Sequence, residues 1–137
     1  MSKRFLAPFA TAALCLTSIA SAQGTAGKEP VADGRTLSQW VEELKAPAPQ
    51  TRNAAAYEIS GMGPAAAPAV PALIAALDDP EASVRFPVTV ALGEIGPGAK
   101  AAVPKLKQMM EEEINDEIAA AARRALRRIQ PEAVTSE

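Results

Sequence analysis

From Leu37 onward the apolar residues recur at helical spacing rather than in alternation, in blocks separated by Pro, Gly and Asp. Leu73, Ile74 and Leu77 share one face of a helix that opens at Val70 and stops near Asp78, with Pro71 in the first turn, where its missing N–H is harmless. Val84, Val88, Ala91, Leu92 and Ile95 mark a second helix after Asp79-Pro80, with Asp79 as the expected cap and Pro80 as the expected first helical residue. Gly96-Pro97-Gly98 ends it. Upstream, Thr36 and Gln39 have capping-box spacing and predict a helix from about Leu37 to Lys45, with Trp40, Val41 and Leu44 inward.

The pattern then repeats. Val70-Pro71 returns as Val103-Pro104, a period of 33 residues. Without gaps, 37–69 overlays 70–102: Leu44 falls on Leu77, Pro47 on Pro80, Arg52 on Arg85, and Gly63-Pro64 on Gly96-Pro97. A third copy keeps Leu106 and, after one inserted residue, brings Ile118, Leu126 and Ile129 onto Val84, Leu92 and Ile95. A fixed period of this length, with two helices per unit, predicts an all-α fold: a short α-α solenoid of three hairpins, with units 37–69, 70–102 and 103–130. No Gly or Pro lies between Lys105 and Gln130, so one long helix competes with two in the third unit. The repeat favours a break at 113–116, with Asn115 or Asp116 capping. Pro87, inside a helix, deletes one backbone hydrogen bond and is expected to kink it.

Composition narrows the chemistry. Aromatics make up only 4% of the 137 residues, so the core is built from small aliphatic side chains, as closely packed helices require. With no His and one Cys, histidine acid/base or triad chemistry, histidine-ligated metals, zinc fingers and an internal disulfide are excluded. No cofactor or metal is expected.

Residues 1–22 read as a secretory signal peptide: Lys3 and Arg4, an apolar stretch from Phe5 to Ile19, then Ala20-Ser21-Ala22, with cleavage expected before Gln23. The stretch is too short for a membrane span and is interrupted by Pro8. Its loss removes two basic residues and no acidic ones, moving the net charge from −2 to −4, and also removes Cys15. An acidic exported chain is a poor nucleic-acid binder. The expected organisation is a flexible leader over 23–35, a repeat domain over 36–130 and a flexible tail over 131–137. A monomer in the periplasm or outside the cell is the default expectation.

Val84-Arg85 followed by Ala91-Leu92-Gly93-Glu94-Ile95-Gly96 resembles the second helix of a HEAT repeat, of the variety also found in phycobilisome-lyase-type proteins. The similarity covers 37–130. It implies a scaffold for protein–protein interaction. Lyase repeats of this kind act on a tetrapyrrole and its cysteine attachment site, a role that an exported chain without mature Cys or His fits poorly. HEAT-like iron hydroxylases are also similar, but their His-Glu metal pairs have no counterpart here. The resemblance further implies that Arg52 and Arg85 pair with turn acids or carbonyls of neighbouring units.

In such arrays partners bind the face of the second helices. With the apolar stripe inward, Phe86, Val90 and Glu94 point outward on the second unit, beside Asn53 and Tyr57 on the first and Ala120, Arg124 and Arg128 on the third. This strip suits a peptide or protein segment carrying an apolar residue and a carboxylate. The alternative is that Tyr57, Phe86 and Val90 pack against each other between adjacent helices. Trp40, a possible stacking surface, shares the core column of Leu73 and Leu106. Arg123, Arg124, Arg127 and Arg128 suit a solvated helix face or an anion site. Glu111, Glu112, Glu113, Asp116 and Glu117 lack the spacing of a calcium loop. A further reading is self-assembly through the apolar edges of the end units.

Overall fold

The computed structural model describes residues 28–134. The signal-peptide reading and the first part of the expected leader lie outside them, as do the last three residues. Six α-helices form three antiparallel hairpins: α1 (Leu37–Glu43) with α2 (Pro49–Gly61), α3 (Val70–Ala76) with α4 (Ala82–Ile95), and α5 (Val103–Glu112) with α6 (Asp116–Ile129). The second helices stack directly, α2 on α4 and α4 on α6. On the other side, 3₁₀ segments at Gly63–Ala69 and Gly96–Ala102 link the units and pack on one another. Gly63 (φ 58°) and Gly96 (φ 74°) open these links in the left-handed region that favours glycine. Gln130 occupies the corresponding place in the third unit with an extended backbone (φ −153°), and a shorter 3₁₀ turn at Pro131–Ala133 follows.

The core is the expected aliphatic stripe. Leu73, Val84, Val88, Ala91, Leu92, Leu106, Ile118, Ala122, Leu126 and Ile129 are buried, as are Trp40, Leu44, Leu77, Ala125 and Ile95. Val41 and Ile74 are half-buried at its margin. The third unit does break: Glu113 leaves the helix, and the Asn115 side chain accepts hydrogen bonds from the N–H groups of Glu117 (2.9 Å) and Ile118 (3.1 Å).

Three expectations need correction. The first helix has the full capping box between Thr36 and Gln39, but its regular part ends at Glu43. The fourth helix begins at Ala82 with Glu81 as N-cap; Asp79 accepts from the Glu81 N–H (2.9 Å) and so shapes the turn instead of capping the helix. The expected flexible leader is fastened from Glu29 onward. Val31–Ala32 (β1) and Arg35–Thr36 (β2) form an antiparallel hairpin through Asp33-Gly34, where both residues have positive φ. Glu29 accepts from the Ser38 hydroxyl (2.6 Å) and N–H (3.1 Å), and the Trp40 indole donates to the Ala32 carbonyl (2.9 Å). Arg35 lies over the Trp40 ring at 4.8 Å. Trp40 is therefore a core residue under a hairpin lid.

Candidate functional site

Two networks carry the polar chemistry of the array. The first lies at the turns. Arg52 forks onto Asp79 of the next unit (2.6 and 3.0 Å) while donating to the carbonyls of Ala46 and Pro47 (2.9 Å each). Arg85 does the same one unit later, forking onto Glu113 (2.9 and 3.0 Å) and donating to the carbonyls of Asp79 (2.8 Å) and Pro80 (3.2 Å). Each guanidinium thus ties its own turn to the next. The side-chain hydrogen bond from the arginine, opposed by burial, holds both Asp79 and Glu113 below the usual carboxylate range. The same bond raises Arg52 above its ordinary value. Both arginines are structural, as their equivalent positions suggest.

The second network is the outward strip, and the structure divides it. Asn53 is not a free groove residue: its side-chain amide donates to the Ser83 carbonyl of α4. That carbonyl lies four residues before Pro87, which has no N–H to give it. Phe86 is half-buried and packs on the core, so it belongs with the inter-helix packing alternative. Tyr57 is exposed, at 51%.

The remaining four come together. Val90, Glu94, Arg124 and Arg128 line a shallow groove between α4 and α6 that encloses about 100 Å³. Its floor is Gly93, Ala121 and Ala125. Gly93 is what lets the helices approach: a Cβ there would meet the Ala125 Cα at 3.1 Å and its Cβ at 3.2 Å. Across the groove Arg128 pairs with Glu94 at 2.7 Å. Arg124 is exposed and has no hydrogen-bond or ion-pair partner among the described residues, and the same holds for Arg123 and Arg127. One apolar slot thus carries one paired and one unpaired guanidinium on its rim. Tyr57, Val90 and Arg124 hold the same position in α2, α4 and α6, which places an exposed aromatic in line with the slot. Ala120, on the same helix, is half-buried outside the groove lining.

The floor residues were missed by reasoning about outward side chains, because Gly93 and Ala121 are buried. The available signal was Gly93 itself, a glycine inside a helix where the first unit has Ser60. A larger hollow of about 400 Å³ lies between the second and third units at the turn edge, but its charged lining includes two closed pairs, Arg85–Glu113 and Lys105–Asp78. Among the described residues no cluster of His, Cys, Asp and Glu is suited to a metal ion.

A family model for HEAT repeats matches residues 37–127. The chain belongs to the HEAT-repeat family. The match spans all three hairpins and stops in the last turn of α6. No curated protein is similar enough to lend this HEAT protein an activity. No described helix is long and apolar enough to cross a membrane.

Proposed function

We propose that this HEAT array is a non-catalytic, exported scaffold that holds a protein segment in the groove between α4 and α6. HEAT repeats in general serve as scaffolds for protein–protein interaction. The observation that carries the reading is the slot itself: an apolar floor of Gly93, Ala121 and Ala125, a Val90 wall, and Arg124 standing unpaired at the rim. A segment that offers an aliphatic side chain to the floor and a carboxylate to Arg124 satisfies both, with Tyr57 extending the contact along the stack. Glu94 neutralises Arg128, which leaves a single strong anion anchor within the slot.

The test is selection from a displayed peptide library on the purified protein. Enriched peptides should pair an aliphatic residue with a carboxylate, and Arg124→Glu should abolish their binding while leaving the melting curve unchanged. Equal enrichment on wild type and Arg124→Glu overturns the reading. Export has its own check, N-terminal sequencing of the protein recovered outside the cytoplasm of its source: a start at Gln23 supports processing, and a retained Met1 refutes it.

A further inference from the structure

Ile114 is 94% exposed, on the turn between α5 and α6. The first and second units place Pro47 and Pro80 there, so the third unit presents a branched aliphatic side chain to water where its neighbours present a turn proline. Around it the chain is acidic. Glu111, Asp116 and Glu117 are exposed and have no ion-pair partner among the described residues, while Glu113 is consumed by Arg85. This turn is an apolar knob flanked in sequence by three unpaired carboxylates, the complement of the groove between α4 and α6, whose apolar floor carries unpaired Arg124 at its rim, with exposed Arg123 and Arg127 on the same helix.

The geometry points to a second copy of this chain as an occupant of the groove: Ile114 of one molecule enters the slot of the next, and its flanking carboxylates meet Arg124 and the neighbouring Arg123 and Arg127. The inference rests on the groove being a binding site. Knob and slot are different patches of one surface, so the contact is heterologous and propagates as a ring or filament instead of closing as a symmetric pair. The alternative route, end-to-end stacking through the arginine turns, is blocked. Ala46 stands where Asp79 and Glu113 stand in later units, and Ala119 stands where Arg52 and Arg85 stand in earlier ones, so the arginine-to-acid fork that joins neighbouring units has neither its donor nor its acceptor between the ends of two copies.

Sedimentation of the purified protein over a concentration series tests this directly. The wild type should show a weight-average mass that rises above the monomer with concentration and falls back with added salt. Ile114→Asp keeps the groove and loses the knob, Arg124→Glu keeps the knob and loses the groove, and each alone should remain monomeric. Mixed in equal amounts they should form dimers and nothing larger, because only one intact contact is available. A wild type that stays monomeric throughout overturns the inference, as does a mixture that behaves like its components. A blocked peptide of residues 110–117, titrated onto the Ile114→Asp variant, separates the two claims. Failure of this peptide where library-selected peptides still bind refutes self-recognition and leaves the groove standing. Failure of every peptide removes the groove, and self-recognition with it.

Discussion

Asn53 and Pro87 belong to different units, yet each accounts for the other. Pro87 leaves the Ser83 carbonyl without its helical donor, and Asn53 supplies one from α2. Asn53→Ala should therefore lower stability by about 0.5–1.5 kcal/mol. In a Pro87→Ala background, where the restored N–H can reach Ser83, most of that loss should vanish, and a double-mutant cycle by urea denaturation measures it. Leu92, fully buried at the centre of the stack, is a simpler case: Leu92→Ala should cost about 2–5 kcal/mol through lost transfer and a residual cavity. An unchanged melting curve would contradict the core assignment. Gly93→Val tests the helix contact from the opposite direction, since the new Cβ meets Ala125 backbone; overpacking of about 1–3 kcal/mol is expected, with the groove deformed.

Among the elements, the turns are where units are joined, and the joints titrate. Asp79 and Glu113 are held below their ordinary values of 3.8 and 4.5, so their ionised forms stabilise the folded array at pH above those values. As pH falls through the lower folded-state values that contribution is lost. The urea midpoint should accordingly be flat near neutrality and drop from about pH 5 downward. An Arg52→Met/Arg85→Met variant should start less stable and lose less on acidification; an acid response equal to that of the wild type would show that other carboxylates dominate. The hairpin over Trp40 is a second joint, fastened by Glu29 to Ser38 at the start of α1. Glu29 is likewise held low, chiefly by the Ser38 hydroxyl, but it lies exposed at the surface.

Across the molecule, α4 is the only described helix packed on second helices at both sides, α2 and α6. In a stack whose units touch only their neighbours, the middle unit is protected by both. Amide exchange should therefore be slowest in α4 and faster in the N-terminal hairpin and the Pro131–Ala133 turn, as mass spectrometry of exchanged peptides can check. The arginine turns are used at both internal junctions and end in Ala46 and Ala119, so the polar fastening of the stack is complete within three units.

The period, the helix pairs, the aliphatic core and the break before α6 were legible in the sequence because each rests on local chemistry: apolar spacing, a capping asparagine, a glycine that ends a helix. The row of Tyr57, Val90 and Arg124 followed from the same periodicity. The hairpin before α1 was not legible, since two-residue strands carry too little pattern to stand apart from a polar leader; what fastens it are partners eight and nine residues away, Trp40 for Ala32 and Ser38 for Glu29. Nor could spacing show that Asn53 is committed to Ser83, that Phe86 turns toward the core, or that Glu94 closes on Arg128. Those are contacts between units, and the sequence within one unit is silent about them. The chain by itself determined which faces its helices would bury; only their stacking decided which of the outward residues remained free to bind.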